Sequence, residues 1–300
     1  MIKLSNGWKF EYELPSGAMG YDGRGWLWER PLIWAGKIKL DLFTIVLKTV
    51  KRWPWPGNYR WYQPWDTFRF IPGPPPFHKC IGTINAFGLR CGGIEAELAK
   101  AGPHIYNSPL QLIGSVYAEN PSETGEMVEM MGRYLTAVEL NASCPNTSEG
   151  VLRDADRIVA CCQVADEAAK LFRPKLDLGL KLSVAQRSIA GTILPQVRGI
   201  VKSLKINSVP YKLAGLPEPS PLAHHGGGGV SGKVVQHITW DFAEWLEQFG
   251  IPVVWPSMWE KGDPQRARAL GAPAVSFGAL QLAYPTRPTQ IVLDDLERNS

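Results

Sequence analysis

The sequence predicts an α/β protein with a (β/α)8 TIM-barrel fold, and three observations lead to this prediction. Short apolar runs alternate with longer amphipathic stretches from about residue 40 onward, which is the pattern of βαβ units around a parallel sheet. Several apolar runs are nearly continuous, as expected for strands that are buried on both faces. The length of 300 residues suits one such barrel, which typically needs about 250 residues.

Hydrophobic periodicity predicts eight strands and seven helices. The strands are expected at residues 43–47, 82–85, 110–116, 137–141, 178–182, 204–207, 252–255 and 274–277. The helices are expected at residues 93–101, 123–131, 155–172, 189–201, 233–248, 264–270 and 290–298. Asp154 directly precedes the third helix and can cap it. An open Rossmann-type sheet would need a Gly-rich turn after the first strand, and Leu47-Lys-Thr-Val-Lys51 contains no glycine.

We expect one domain over residues 1–300, with two insertions that cap the C-terminal face of the barrel. Residues 51–79 are too rich in proline for a helix and too aromatic for a disordered linker. Residues 209–229 follow the sixth predicted strand, and a loop of this length in a compact barrel is usually functional. The segment before Lys37 is expected to form a hairpin that closes the bottom of the barrel.

The composition argues against several classes of protein. A formal net charge of +4 without a long Lys/Arg run does not favour nucleic-acid binding. Five cysteines without a CxxC spacing argue against a disulfide framework and against a zinc or iron–sulfur site. The N-terminus lacks the apolar core of a signal peptide, and no apolar run is long enough to span a bilayer. We therefore expect a cytoplasmic protein with reduced thiols and no membrane contact.

The segment Asn141-Ala-Ser-Cys-Pro-Asn-Thr147 carries the strongest chemical signal. It places the Cys144 thiol between the carboxamides of Asn141 and Asn146 at the end of a predicted strand. Two carboxamides can hold a planar ring that bears alternating C=O and N–H groups, and a thiolate beside that ring can accept a proton from it. The alternative is an ordinary turn with a small buried cysteine.

Polar residues recur where predicted strands end, which is the face that holds the active site in barrel enzymes. Lys181 lies inside the apolar run Leu178-Gly-Leu-Lys-Leu182 and needs an anionic partner, such as a reduced flavin or a phosphate, unless it reaches solvent at the rim. The full set at these strand ends is Lys48, Asn85, Asn141, Lys181 and Asn207.

A run of four glycines, residues 226–229, precedes Val-Ser-Gly232 and can present backbone N–H groups to a phosphate, although a flexible loop has the same composition. Gly278 and Ala279, after the last predicted strand, would complete such a site. The adjacent His224 and His225 are interpreted as part of a solvated loop, because adjacent histidines seldom chelate one ion alone. No metal is predicted.

Together these residues resemble the class 1 members of the dihydroorotate dehydrogenase family. The family's Asn-x-Ser-Cys-Pro-Asn motif is matched from Asn141 to Asn146, and its substrate loop resembles Asn85-Ala-Phe-Gly-Leu89. Its Gly-Gly-x-Ser-Gly phosphate loop is matched from Gly228 to Gly232. The remaining matches, which follow in the expected order, are Ser16-Gly17, Lys48, Lys181 and Ile206-Asn-Ser208.

This resemblance implies an enzyme that binds FMN at the barrel mouth and oxidises dihydroorotate to orotate in pyrimidine biosynthesis. Cys144 would be the catalytic base that removes the C5 proton, while hydride passes from C6 to the flavin. The substrate would be held by Lys48, Asn85, Asn141, Asn146 and Asn207. The cofactor would contact Ser16, Gly17, Lys48, Asn141, Lys181, Ser208, Gly228, Gly229, Gly278 and Ala279.

The chain departs from the family after the seventh predicted strand, where a Gly-Gly pair usually wraps the phosphate. Here the segment reads Val254-Trp-Pro-Ser-Met-Trp-Glu260, so Pro256 lacks an N–H and Met258 carries a side chain. Two alternatives stay open: a flavoenzyme for another dihydropyrimidine, which the unusual Trp- and Pro-rich cap suggests, or a barrel without FMN that serves as a binding subunit, which the missing Gly-Gly pair suggests. A homodimer is a family expectation. The sequence does not name the electron acceptor, and the resemblance implies either fumarate or NAD through an electron-transfer subunit.

Overall fold

The computed structural model describes residues 1–60, 62–76, 79–143 and 154–299. Fourteen strands lie in these ranges: β1 (Ile2–Lys3), β2 (Lys9–Phe10), β3 (Tyr12–Leu14), β4 (Thr44–Val46), β5 (Phe68–Ile71), β6 (Gly82–Asn85), β7 (Gln111–Tyr117), β8 (Ala137–Asn141), β9 (Asp177–Leu182), β10 (Val201–Ile206), β11 (Val209–Pro210), β12 (Gly229–Gly232), β13 (Val253–Trp255) and β14 (Ala274–Ser276).

Nine α-helices lie in the same described ranges: α1 (Arg30–Trp34), α2 (Ile94–Tyr106), α3 (Pro121–Gly132), α4 (Ala155–Ala169), α5 (Arg187–Val197), α6 (Gln236–Glu247), α7 (Asp263–Ala269), α8 (Gly278–Ala283) and α9 (Arg287–Asn299). All seven predicted helices are present, whereas α1 and α8 were not predicted. Asp154 caps α4 as expected, because its side chain accepts a hydrogen bond from the Arg157 N–H at 3.0 Å.

Eight parallel strands close into a barrel in the order β3-β4-β7-β8-β9-β10-β13-β14. Helices connect the later strands, so the predicted (β/α)8 TIM-barrel fold is confirmed. The register places Tyr117, Asn141, Lys181 and Lys205 side by side on successive strands. These residues are near the C-terminal ends of their strands. They therefore lie close to the barrel mouth, where barrel enzymes hold their active sites.

One strand assignment was wrong, although the total of eight barrel strands was right. Residues 82–85 form β6 at the predicted bounds, but β6 belongs to a separate antiparallel sheet in the order β11-β12-β6-β5. The eighth barrel strand is instead β3, which lies between β14 and β4, whereas β4 pairs directly with β7. A local pattern records that a segment is extended, whereas its partner strand is chosen by contacts between residues far apart in sequence.

The N-terminal hairpin is confirmed but is shorter than predicted. It consists of β1 and β2, which pair antiparallel. Ile2, Leu4 and Phe10 pack in one cluster with Ala137 and Ala274, the first residues of β8 and β14, so the hairpin covers the bottom of the barrel. The rest of the segment before Lys37 contains the barrel strand β3 and helix α1.

The second sheet, here called the cap sheet, lies over the other end of the barrel. Its strand β5 comes from the segment 51–79, and its strands β11 and β12 come from the segment that follows β10. Ile84, Val209, Leu222 and Val230 form a small hydrophobic core under this sheet. Across the described residues, every helix is too short or too polar to cross a membrane.

Candidate active site

A large cavity of about 1150 Å³ lies between the barrel mouth and the cap sheet. On the barrel side it is lined by residues that end or follow β3, β4, β8, β9, β10, β13 and β14. On the cap side it is lined by β6 and β12, including Thr83, Asn85 and Ser231. Ligand pockets usually measure about 300–1,000 Å³, so this cavity is large enough for two ring systems.

Most of the residues proposed from the sequence meet at this one cavity. Gly228 lies next to the lining rather than in it, because its backbone packs against Asn85, whose carbonyl oxygen would lie 2.8 Å from an added Cβ. Cys144 and Asn146 lie outside the described residues, so their positions stay predictions. The predicted residues that line the cavity are Ser16, Gly17, Lys48, Asn85, Asn141, Lys181, Asn207, Ser208, Gly229, Gly278 and Ala279.

Asn141 is held in a defined orientation at the floor of the cavity. Its Nδ2 donates to Thr49 Oγ1 at 3.1 Å, and its Oδ1 accepts from the Ser143 N–H at 3.2 Å and from Ser143 Oγ at 2.7 Å. Thr49 Oγ1 in turn lies 2.7 Å from Ser16 Oγ and 2.8 Å from Ser115 Oγ. These contacts identify which end of the amide is the donor and fix it before any ligand binds.

The residues directly before Cys144, Ala142 and Ser143, are held by hydrogen bonds from two other segments. Asn207 Nδ2 donates to the Ser143 carbonyl at 3.2 Å, and Gln186 Nε2 donates to the Ala142 carbonyl at 3.0 Å. Gln186 is itself held by a capping box with Ser183 directly after β9. Asn207 therefore joins Ser143, within the motif, to the end of β10, and it also lines the cavity.

The buried Lys181 has a carboxylate partner inside the barrel. Its Nζ donates to Glu139 Oε1 at 2.8 Å, and Ser115 Oγ donates to the same oxygen at 2.8 Å. The sequence had suggested a ligand anion as the partner, and the structure provides a protein anion instead. The ammonium charge is therefore already balanced in the protein alone.

Two further charges complete a buried four-residue group, here called the barrel charge cluster, formed by Glu13, Glu139, Lys181 and Lys205. Lys205 Nζ lies 2.6 Å from Glu13 Oε2 and 3.5 Å from Glu139 Oε2. These two contacts are ion pairs without hydrogen-bond alignment. Gly179 lies between Glu139 and Ser203 in the strand register, and a Cβ added there would lie 3.2 Å from Ser203 Oγ and 3.8 Å from Lys205 Cε, so the position is closely packed.

The pKa values in this cluster follow from burial and pairing. For Glu139, burial acts to raise the pKa, but the attraction of Lys181 and Lys205 outweighs it and lowers the pKa. For Lys205, burial acts to lower the pKa, and the attraction of Glu13 and Glu139 outweighs it and raises the pKa. Burial raises the pKa of Glu13, and the neighbouring Glu139 charge adds to this despite the contact with Lys205.

Sequence reasoning missed Glu13, Glu139 and Lys205, as well as Thr49 and Ser115. The signal for Glu139 and Lys205 was present, because each lies in a predicted strand that is otherwise largely buried, as Lys181 does. Glu13 lies in β3, which was not predicted as a strand. The test that was applied to Lys181, asking what partner a buried charge requires, identifies Glu139 and Lys205 as well.

The segment after β13 contains a left-handed backbone conformation, although it has no glycine. Ser257 has a φ of +66°, which lies in the left-handed region that favours glycine. Pro256 and Ser257 line the cavity, whereas the Met258 side chain is buried in the core. Although the expected Gly-Gly pair is missing, Pro256 and Ser257 therefore still border the cavity, and the larger Met258 side chain points into the core.

Aromatic side chains form the outer wall of the cavity. Phe68 and Phe87 stack with ring centroids 5.8 Å apart, and Trp26 and Trp28 stack at 5.5 Å. Such walls bury planar ligands well.

The two adjacent histidines do not lie in a merely solvated loop. His224 Nε2 lies 2.8 Å from Asp66 Oδ1, and His225 Nε2 lies 3.2 Å from Asp66 Oδ2. Asp66 is 158 residues from His224 in sequence and comes from the other cap segment, so helical spacing could not have revealed it.

Comparisons with known proteins agree with this architecture. The family model described as dihydroorotate dehydrogenase matches residues 71–253, which is more than half of the chain. The chain belongs to the dihydroorotate dehydrogenase family. It is thus an oxidoreductase, as the members of that family are.

Relatives of two kinds within the family match the sequence. The chain is 26% identical over 212 residues to the protein named dihydroorotate dehydrogenase B (NAD(+)), catalytic subunit, from Methanocaldococcus jannaschii, a match that covers 66% of either chain. It is 26% identical over 229 residues to dihydroorotate dehydrogenase A (fumarate) from Lactiplantibacillus plantarum, with 74% of each chain covered.

A solved structure of a family member supports the fold. The structure of the dihydroorotate dehydrogenase from Eimeria tenella in complex with ferulenol superposes with a TM-score of 0.69. The superposition covers 98% of this chain and 83% of that one, at 17% sequence identity.

Proposed function

We propose that this dihydroorotate dehydrogenase family member binds FMN at the barrel mouth and oxidises dihydroorotate to orotate, as a step of pyrimidine biosynthesis. The observation that carries the proposal is the convergence of Asn85, Asn141, Asn207, Lys48 and Lys181 on one cavity at the C-terminal face of the barrel. Three carboxamides and two cations are the groups expected around a cyclic imide that carries a carboxylate.

The residues present fit a flavin. An added Cβ at Gly17 would meet no atom within 4 Å, so space is open beside the barrel wall where the ring would lie. Ser16, Asn141 and Lys181 supply polar contacts for the ring, and residues 229–232 with Gly278 and Ala279 supply a surface of small residues for the phosphate. When bound, FMN supplies the acceptor for the substrate hydride.

The chain's own residues would bind, orient and deprotonate the substrate. Asn85, Asn146 and Asn207 would hold the ring and its carboxylate together with Asn141 and Lys48, while Cys144 Sγ would accept the proton from C5. Asn141 enters this step already oriented by Thr49 and Ser143. Lys181, held by Glu139, would keep a positive charge close to the ring on which negative charge gathers.

The test is the absorption spectrum of the purified protein. A flavin spectrum that bleaches when dihydroorotate is added without oxygen is the expected result. Bleaching by dihydrouracil alone would favour a flavoenzyme for another dihydropyrimidine, for which the aromatic wall around Phe68 and Phe87 is the motivating observation. A colourless protein that cannot be reconstituted with FMN would favour the binding subunit instead.

The acceptor, the assembly and the cellular location belong to the same proposal. We expect a cytoplasmic homodimer that uses fumarate, or NAD through an electron-transfer subunit. Reoxidation of the bleached protein by fumarate alone would favour the first acceptor. Reoxidation only after addition of a flavin and iron–sulfur partner with NAD would favour the second.

A further inference from the structure

A compact group of metal-binding side chains joins the two cap segments. Asp66, His224 and His225 each present one ligand atom, and these three atoms lie within 4.8 Å of one another. None of the three side chains is fully buried, and the solvent-exposed fraction ranges from 20% for His225 to 50% for His224. The group is therefore preformed and reachable from solvent.

The strand topology explains why these distant residues meet. Both β5 and β12 pair antiparallel with β6, on opposite sides of it, so β5 and β12 run in the same direction. Phe68, the first residue of β5, and Gly229, the first residue of β12, both lie opposite Asn85. Asp66 is separated from β5 by Thr67, and His225 lies shortly before β12, so both residues lie at the same end of the cap sheet.

The distances suit a tetrahedral metal ion. A zinc ion with nitrogen and oxygen ligands at about 2.0–2.1 Å places its ligand atoms about 3.3 Å apart. The two imidazole nitrogens lie close to the Asp66 carboxylate, His224 Nε2 at 2.8 Å from Oδ1 and His225 Nε2 at 3.2 Å from Oδ2. Small rotations of the two rings would therefore make room for the ion, and imidazole with carboxylate is a ligand set that first-row transition metals bind well.

Three protein ligands leave the fourth tetrahedral position to water.

We propose that Asp66, His224 and His225 bind one Zn²⁺ ion that fastens the two cap segments together beside Asn85. The ion would replace the two direct hydrogen bonds and would hold the entrances of β5 and β12 at a fixed separation. Asp66, His224 and His225 do not line the cavity, so this proposal is independent of the proposed substrate and reaction.

The experiment is a zinc titration of the chelator-treated full-length protein against a chromophoric indicator, with Co²⁺ as a spectroscopic probe. We expect one Zn²⁺ per chain, and Co²⁺ absorption of a tetrahedral site without a thiolate band. His224→Ala, His225→Ala and Asp66→Ala should each weaken zinc binding by more than about tenfold. His237→Ala and His104→Ala, which remove exposed histidines from α6 and α2, should leave it unchanged.

Two further measurements separate this site from adventitious zinc binding. Zinc should raise the melting temperature of the parent protein and of His237→Ala but not of the three site variants. It should also slow amide exchange at residues 64–71 and 222–232 while leaving α4 unchanged. The absence of stoichiometric binding, or zinc binding that persists in the three variants, would overturn the proposal.

Discussion

Lys181 Nζ lies 2.8 Å from Glu139 Oε1 inside the barrel, and both side chains are almost completely buried. Glu139 also lies 3.5 Å from Lys205, so one carboxylate serves two ammonium groups directly beneath the proposed flavin site. Lys181 therefore has an ion-pair partner that belongs to the protein itself.

Glu139→Gln should destabilise the protein by about 3–5 kcal/mol, because it leaves two buried ammonium groups with Glu13 as their remaining carboxylate. Urea denaturation at pH 7 measures the change. Glu129→Gln is the control, since it removes an exposed partner of Arg133 on α3 and should cost less than about 1 kcal/mol. Equal effects of the two substitutions would contradict the importance of the barrel charge cluster.

The alkaline stability of the protein should depend on Lys205. Its pKa is raised in the folded state, so its contribution is complete below the pKa of an unfolded lysine, about 10.4, and is lost as the pH rises through the higher folded value. Lys205→Met should therefore flatten the loss of unfolding free energy above about pH 10. Lys202→Met, an exposed position on the same strand, should keep the parental slope.

Cys144→Ala should slow turnover by about 10²–10⁴, the usual contribution of a general base, while the flavin stays bound. Cys144→Ser should retain part of the activity with an optimum at higher pH. Anaerobic single-turnover bleaching by dihydroorotate measures the chemical step. Cys91→Ala is the matched control, because Cys91 also lines the cavity. A larger loss of bleaching rate in Cys91→Ala than in Cys144→Ala would show that Cys144 is not the base.

Asn85→Ala should weaken dihydroorotate binding by about 10–100-fold, the loss expected for a hydrogen bond to a charged ligand, with little change in stability. The single side-chain hydrogen bond of Asn85 within the described structure is a long one, 3.5 Å to the Gly229 carbonyl. Asn58→Ala is the control with a structural role, because Asn58 Nδ2 donates a hydrogen bond to the Ala86 carbonyl at 2.9 Å. That variant should lose stability and keep its KM.

Ser257→Gly should be more stable than Ser257→Ala by about 1 kcal/mol, because only glycine adopts the left-handed backbone there without cost. Both substitutions remove the hydroxyl that accepts from Thr239, so the comparison isolates the backbone. At Ser122, on the exposed face of α3, the order should reverse, with alanine more stable than glycine. Urea unfolding of the four variants gives both differences.

Local pattern sufficed for much of this molecule. Alternating apolar runs and amphipathic stretches predicted the barrel, its helices and the placement of Asn141 and Lys181 at strand ends. Such patterns predict burial, because strands inside a parallel barrel must be apolar on both faces. The same patterns, read with a family resemblance, selected residues that prove to share one cavity.

The tertiary structure decided which elements pair and which charges meet. Strand β6 was recognised as a strand, yet its placement in the cap sheet and the place of β3 in the barrel depend on hydrogen bonds between segments far apart in sequence. The partner of Lys181 and the partner of His225 were hidden for the same reason. Sequence spacing reports neighbours along a chain, whereas ion pairs and metal ligands are set by distances that exist only after the barrel closes.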